Sequence, residues 1–348
     1  MTGRDFSQIT PELMQTLLSK KFPTLNVKAV HTDGSIHGTA TKVKVTLDAD
    51  GDGPRTMWVK AGWEESSEIL RKVGIFSREP RVYAELLPEL GLEVPDFYGA
   101  SWDEDTLDGI VLLEDLAERK AHFNSPLEHL SPQALATLLS ALARMHSLTR
   151  STEWLGAHDW LRPLFWDSVE PDSYLTYVSA IPTLETFLAM PRGAALPEVS
   201  RNAASISAAI GRTAAFGRED NEHCMLHGDA HIGNSYSLPD GKLGLLDWQC
   251  VWRGGWAYDV AYLIGSSLSP KDRRSEEKAL LQHYLDQRAC HGWPAPSLAH
   301  ALDRYRKYLA YGLTVWLTNM PSFQPEEFNA AVASRFAHAM IDHGLFES

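Results

Sequence analysis

The sequence is poor in cysteine and has no long apolar run. Its three cysteines, Cys224, Cys250 and Cys290, are too few and too far apart for a disulfide framework or a cysteine-rich zinc site. No apolar run is long enough to span a bilayer, and the chain does not start with a basic segment followed by an apolar stretch. These absences predict a cytoplasmic protein that does not bind membranes.

Positive charge is also scarce. The 32 lysines and arginines are outnumbered by 45 aspartates and glutamates, which gives a formal net charge of −13. Because general attraction to nucleic acid depends on cationic side chains that displace counterions, this balance opposes a nucleic-acid binder. Nothing in the sequence marks an obligate protein partner. The 348 residues, 44% of them hydrophobic, are enough for about two folded domains.

The first part of the chain alternates strand and helix signals. Short β-branched segments are separated by turn-forming residues, which is typical of a small antiparallel meander. We predict a helix after Pro11, strands at 27–31, 41–47 and 56–62 with turns at 33–38 and 48–54 between them, a helix at 77–87, and an apolar strand at 109–113.

The pattern changes at Ser131. A serine followed by proline and a long apolar stripe predicts a helix over 131–148. Most of the remaining chain is also helical in pattern, except for a strand-rich segment at 225–249. We therefore predict an α+β fold with a small N-terminal lobe, residues 1–116, and a larger helical lobe, residues 117–348.

The strand-rich segment carries a chemically suggestive set of residues. Asn234 follows Asp229 by five positions, and Asp247 follows Asn234 by thirteen. Phosphoryl transfer needs a carboxylate to orient the acceptor hydroxyl and oxygen ligands for the magnesium ions that neutralise the phosphates. The interval from Asp229 to Asn234 equals that of the protein-kinase catalytic loop, and Asp247 falls where kinases place a metal-binding aspartate.

Three segments together resemble a known superfamily. They are Leu-His-Gly-Asp-Ala-His-Ile-Gly-Asn at 226–234, Leu-Leu-Asp-Trp-Gln at 245–249 and Tyr-Asp-Val-Ala-Tyr at 258–262. They resemble the aminoglycoside phosphotransferase and choline kinase-like superfamily, near its ecdysteroid kinase-like branch, over about residues 30 to 290. This resemblance implies a protein kinase-like bilobal fold and the phosphorylation of small-molecule hydroxyls with ATP and magnesium.

The resemblance also implies roles for individual residues. Asp229 would be the catalytic base or the group that orients the acceptor hydroxyl, and Asn234 and Asp247 would hold magnesium. Asp259 would cap backbone amides around the catalytic loop without touching substrate.

The N-terminal lobe should then supply a lysine on its third strand and a glutamate on the following helix. Lys60 and Glu79 match these positions, and we predict that they form an ion pair that positions the nucleotide phosphates. Glu85 competes with Glu79 for this role, and the resemblance favours Glu79.

Two backbone segments complete the implied nucleotide site. Residues 33–40 do not form the Gly-x-Gly-x-x-Gly of protein kinases, and their spacing alone indicates a hairpin turn. The resemblance nevertheless places Gly38 and Thr39 nearest the phosphates. It also makes the segment after 109–113 a hinge, where backbone groups of Glu114 and Leu116 would bind the adenine edge.

Two other interpretations stay open. His227, Asp229 and His231 could be zinc ligands of a metallohydrolase, or the fold could bind nucleotide without turnover. For a kinase, the lack of an acidic cluster in residues 151–222 argues against a polycationic acceptor. Aromatic residues there and in the C-terminal helices, among them Phe165, Trp166, Tyr177 and Trp316, favour a fairly apolar small molecule, although most should be core.

Overall fold

The computed structural model describes residues 6–63, 68–168, 170 and 173–346. They fall into two compact units. The first unit takes its residues from Met1–His122 and Leu238–Val251, and the second from Phe123–Ser237 and Trp252–Ser348. Each unit is described by itself.

The described residues form strands and helices with the following bounds. The strands are β1 (Asn26–Ile36), β2 (Thr41–Asp50), β3 (Thr56–Ala61), β4 (Phe97–Asp103), β5 (Asp108–Leu113), β6 (His122–Phe123), β7 (His223–Leu226), β8 (Ser235–Ser237), β9 (Leu243–Leu245) and β10 (Trp252–Gly255). The helices are α1 (Pro11–Leu18), α2 (Glu68–Lys72), α3 (Ile75–Arg81), α4 (Leu87–Leu90), α5 (Pro132–Leu148), α6 (Thr152–Ala157), α7 (Tyr174–Ser179), α8 (Ile181–Leu188), α9 (Pro191–Ala194), α10 (Ala203–Glu219), α11 (Ala257–Ser267), α12 (Pro270–Cys290), α13 (Leu298–Thr318) and α14 (Glu326–Asp342).

The first unit is built on a five-stranded antiparallel sheet with the strand order β1-β2-β3-β5-β4. Successive side chains of a strand point to opposite faces, so β2 and β3 each present two different surfaces. One face is apolar and packs into a core with α1, through residues that include Val43, Val45, Met57, Val59 and Leu17. The opposite face is left for polar side chains.

The turn predicted at 33–38 is shorter than expected. β1 continues to Ile36, and only residues 37–40 connect it to β2. The register shifts between Thr32 and Gly34, and Gly34 has φ +149°, which a glycine adopts without strain. This β-bulge keeps residues 33–36 in the strand, so the hairpin turn predicted at 33–38 lies at 37–40 instead.

The helix predicted at 77–87 is confirmed, but it is not one regular helix. α3 contains Pro80, which has no amide hydrogen to donate. The following turn, Val82–Leu86, is a π-helix, and α4 ends at Gly91, whose φ is +61°. The sequence pattern gave no sign of the wider turn.

The second unit is mostly helical, as predicted. Ser131 caps α5 by accepting a hydrogen bond from the amide of Ala134, and Pro132 occupies its first turn. Every residue of α11 is buried, so this helix lies at the centre of the unit. β7 pairs with β10 in an antiparallel ribbon that leads directly into the loop around Asp229.

Among the described residues, no helix combines the length and the apolarity that crossing a membrane requires.

Candidate active site

The polar face of the first unit's sheet centres on Lys60. Its ammonium lies 2.9 Å from Oε1 and 2.7 Å from Oε2 of Glu79, and 2.7 Å from Oδ1 of Asp247. The side chain of Lys60 is only 4% exposed. The amide of Trp248 donates a second hydrogen bond to Oε1 of Glu79, at 3.1 Å. The predicted ion pair is therefore confirmed, and Asp247 joins it.

The electrostatic balance of this cluster favours a charged lysine. Burial alone would lower the pKa of Lys60, but attraction to Asp247 and Glu79 outweighs it and raises the pKa above its usual range. Glu85, the competitor of Glu79, instead pairs with Arg81 at 2.8 Å on the helix surface. The cluster thus holds a permanent cation between two carboxylates.

Asp247 is held in a specific backbone conformation. It follows β9 by two residues and has φ +66°, a left-handed conformation that aspartate tolerates better than most residues. Besides Lys60, its carboxylate faces Lys42, whose ammonium lies 3.7 Å from Oδ2. The conformation therefore directs Asp247 toward the cationic face of the sheet.

The predicted hinge follows β5 directly. The amide of Glu114 donates to the carbonyl of Asp96 at 2.9 Å, and the Glu114 carboxylate accepts from the Asp96 amide at 2.7 Å. Within the described residues, neither the carbonyl oxygen of Glu114 nor the amide of Leu116 has a hydrogen-bond partner. These two backbone groups can therefore serve a ligand, one as acceptor and one as donor.

Trp58 is a residue of this face that sequence reasoning missed. It precedes Lys60 by two positions, lies opposite Leu113 in the sheet and is half-buried. Its indole nitrogen donates to Asp115 at 3.2 Å, and Asp115 also pairs with Lys44 at 2.7 Å. The alternation of β3 could have identified it, since residues two apart share a face.

Gly38 and Thr39 lie in the short connection between β1 and β2 and are half-buried. β2 begins at Thr41, so this connection leads at once into the strand that carries Lys42.

The second cluster lies in the second unit, where the chain leaves β7. The amides of His227 and Gly228 donate to the carboxylate of Asp259 at 2.7 and 3.0 Å. Gly228 has φ +80°, and its carbonyl accepts a hydrogen bond from the Tyr258 hydroxyl at 2.9 Å. Hydrogen bonds hold both the amide and the carbonyl of Gly228, and they restrain the backbone of the next residue, Asp229. The predicted capping role of Asp259 is confirmed.

Asn234 holds the side chain of Asp229. Its amide nitrogen donates to the backbone carbonyl of Asp229 at 3.0 Å and to Oδ2 at 2.9 Å. Since the amide nitrogen is used in this way, the amide oxygen of Asn234 is the atom left to act as an acceptor or metal ligand. The predicted pair of Asp229 and Asn234 is thus brought together.

The sequence of the chain matches a known protein family. Residues 38–289, which are well over half of the chain, match the model of the ecdysteroid kinase-like family. The chain belongs to the ecdysteroid kinase-like family. This family member matches no curated protein sequence.

Solved structures with the same fold include several small-molecule kinases. Choline kinase LicA from Streptococcus pneumoniae is 16% identical, with a TM-score of 0.54 over 96% of this chain and 99% of its own. A spectinomycin phosphotransferase bound to ADP and spectinomycin is 12% identical, with a TM-score of 0.55 over 97% and 98%. Plasmodium vivax ethanolamine kinase is 13% identical, with a TM-score of 0.52 over 91% and 83%. The kinase-like fold class is confirmed.

A buried histidine holds Asp259, the residue that caps the loop around Asp229. His146 on α5 contacts Oδ2 of Asp259 through Nε2 at 3.1 Å and the hydroxyl of Tyr284 through Nδ1 at 2.9 Å. A carboxylate only accepts, so Nε2 carries a hydrogen, and Nδ1 forms the second hydrogen bond with the Tyr284 hydroxyl. Burial raises the pKa of Tyr284 well above its usual range. Sequence reasoning missed both residues.

The zinc interpretation finds no support in the geometry. Nδ1 of His227 accepts from the amide of Asp229 at 3.3 Å, and Nδ1 of His231 accepts from the amide of Gly233 at 3.0 Å. Within the part of the chain that the structure describes, no group of three or more His, Cys, Asp or Glu side chains could hold a metal ion. The two histidines stabilise the loop instead.

The aromatic residues that the sequence analysis singled out fall into two groups. Phe165 and Trp316 are buried, and the ring of Trp316 packs edge-on against His231 at 5.0 Å. Trp166 and Tyr177 are 38% and 45% exposed. The first group is core, and the second is exposed to solvent.

Asp259→Asn tests how the loop is held. We expect the free energy of unfolding to fall by about 3 kcal/mol, because an amide cannot accept all three hydrogen bonds that the charged carboxylate accepts. We also expect a lower kcat with unchanged nucleotide affinity. Chemical denaturation and steady-state kinetics measure both effects, with Asp303→Asn on the surface of α13 as the control. A normal kcat in the destabilised variant would contradict the positioning role.

Proposed function

We propose that this protein is an ATP- and magnesium-dependent kinase that transfers the γ-phosphate to a hydroxyl group of a small, fairly apolar molecule. The single observation that carries the proposal is the buried cluster of Lys60, Glu79 and Asp247. A protein rarely buries a lysine between two carboxylates without a use for the charge, because desolvation of the ions opposes folding.

The nucleotide would bind on the polar face of the first unit's sheet. Lys60, held by Glu79, offers its ammonium to the phosphates, with Gly38 and Thr39 supplying the preceding turn. The carbonyl of Glu114 and the amide of Leu116 would bind the edge of the base, and the indole of Trp58 offers it an apolar surface. Solved structures of the same fold contain ADP or AMP, which supports a nucleotide in this role.

The donor set fits magnesium. The carboxylate of Asp247 and the amide oxygen of Asn234 are hard oxygen ligands, which magnesium prefers over nitrogen or sulfur. A bound magnesium ion supplies positive charge that neutralises the phosphates during transfer. The residues themselves contribute by presenting these oxygens in fixed orientations.

Asp229 would orient the acceptor hydroxyl. Its Oδ2 is occupied by the amide nitrogen of Asn234, so Oδ1 is the oxygen left to accept the hydrogen of the substrate hydroxyl. The neighbouring loop amides are fixed by Asp259, so the carboxylate is in place before substrate binds.

The nucleotide-binding residues and the catalytic-loop residues lie in different parts of the chain, and we propose a separate role for each part. Residues 1–116 would bind the nucleotide, and residues 117–348 would provide the catalytic loop and the acceptor site. Trp166 and Tyr177, two exposed aromatic residues of the second unit, would supply apolar surface to that acceptor site. The related folds act, by their names, on choline, ethanolamine and spectinomycin.

A nucleotide-consumption screen tests this function. The purified protein is supplied with ATP and magnesium and exposed to alcohols, amino sugars, macrolides, sterol-like compounds and choline-type compounds. We expect ADP formation to rise with at least one hydroxyl compound and to disappear in Asp247→Asn or when EDTA removes the metal. ADP formation that no compound stimulates, or that survives EDTA, would contradict the proposal.

A further inference from the structure

Lys42 stands directly opposite Lys60 in the sheet. The two residues are paired across β2 and β3, so their side chains lie on the same face. Like charges placed opposite each other on adjacent strands destabilise a sheet. A pair of this kind therefore needs either compensating anions or a ligand that benefits from both charges.

Of the two lysines, Lys60 is the one whose charge is fully neutralised by neighbouring carboxylates. Lys60 contacts both oxygens of Glu79 and Oδ1 of Asp247, all within 2.9 Å. Among the described residues, the ion-pair partner of Lys42 is Oδ2 of Asp247, at 3.7 Å, and the side chain of Lys42 is 34% exposed. The cluster holds two cations and two carboxylates, so its charges balance without a ligand. A metal ion on Asp247 would change that balance and leave Lys42 without its anion.

The next lysine on the strand behaves differently. Lys44 lies two positions further along the same face, and its ammonium is 2.7 Å from Asp115. That contact does not involve Asp247, so metal binding would not disturb it. Of the two half-buried lysines on this face, Lys42 is therefore the one whose charge becomes available when Asp247 binds a cation.

We propose that Lys42 is a second phosphate-binding lysine of the nucleotide site. It pairs with Asp247 in the nucleotide-free protein and turns to the terminal phosphates when a nucleotide binds. This inference rests on the proposed function. The protein is strongly anionic overall and its β1–β2 connection has a single glycine, so cations on the sheet must supply much of the local attraction for a polyphosphate.

The test is equilibrium binding by calorimetry, with ADP and adenosine as probes, in the presence of magnesium and again in EDTA. With magnesium, we expect Lys42→Gln to bind ADP about tenfold more weakly, the size of one charge-assisted hydrogen bond to phosphate. In EDTA the loss should be smaller, because Lys42 then stays paired with Asp247. Lys42→Arg should stay within about twofold of the wild type. Adenosine should bind all proteins equally, because it carries no phosphate.

Lys28→Gln is the matched control, since Lys28 on β1 makes an exposed ion pair with Asp50. Thermal denaturation of each variant checks that the fold is kept. If the wild type binds ADP and Lys42→Gln binds it equally well, the role of Lys42 is overturned and the proposed function stands. An equal loss of adenosine affinity would also overturn it, because the effect would then not lie at the phosphates. If the wild type binds no ADP, both proposals fail.

Discussion

Asp229→Asn should lower kcat for phosphoryl transfer by about a thousandfold, within the range that a positioned general base contributes. An amide cannot accept the proton of the acceptor hydroxyl, but it keeps the size of the side chain and can still accept the hydrogen bond from Asn234. Nucleotide affinity should therefore stay unchanged. Steady-state kinetics and ADP binding by calorimetry separate the two effects.

Asp240→Asn is the matched control for this substitution. Asp240 lies in an exposed turn and pairs with Lys242, so the same chemical change there should leave kcat unaltered. An Asp229→Asn variant with wild-type turnover would remove Asp229 from the catalytic role. A variant that instead loses ADP affinity would show that Asp229 belongs to the nucleotide site.

Lys60→Met should lower the free energy of unfolding by about 3–5 kcal/mol, because it leaves the buried carboxylate of Glu79 without its cation. It should also abolish turnover, since the phosphates lose the ammonium held between Glu79 and Asp247. Chemical denaturation gives the stability change, and the nucleotide-consumption assay gives the activity. A variant as stable as the wild type would mean that the cluster does not depend on Lys60.

The double variant with Glu79→Met separates the ion pair from simple packing. Removal of both charges leaves no uncompensated glutamate, so the double variant should be more stable than the sum of the single effects predicts, by about 1–3 kcal/mol. Activity should stay absent, since the apolar pair cannot bind phosphate. Additive effects on stability would contradict direct coupling between Lys60 and Glu79.

Much of the site could be predicted from the sequence, because its chemistry is encoded in local spacing. The interval between Asp229 and Asn234 places both on one short loop, and the structure brings their side chains within hydrogen-bond distance. Lys60 and Glu79 were predicted as a pair because the resemblance to the kinase-like superfamily implies a lysine on the third strand and a glutamate on the following helix, and their contact is confirmed. In each case the residue lies on a loop, strand or helix that the sequence pattern itself indicates.

The supporting residues could not be predicted in this way. His146 reaches Asp259 and Tyr284 from positions more than one hundred residues away in the chain. A lone histidine in the apolar stripe of a helix carries no local signal of its partners. Lys42 was missed for a related reason, since its contact with Asp247 depends on the register of two strands and on a left-handed residue after β9.

Local turn chemistry misled the prediction at one point. The segment Asp-Gly-Ser-Ile-His-Gly is rich in turn formers, yet its first four residues lie in β1. A bulge at Gly34 keeps the strand paired with β2 beyond the glycine. Tertiary pairing overrode local preference there, and the shorter connection that results is the one that carries Gly38 and Thr39.

The most direct test of the proposed kinase is phosphorus NMR of a reaction that contains the protein, ATP, magnesium and the hydroxyl compound found in the screen. We predict a new phosphomonoester resonance that grows in step with ADP and is absent with Asp229→Asn. ADP accompanied only by inorganic phosphate, or no ADP with any hydroxyl compound, would contradict transfer to a small-molecule hydroxyl.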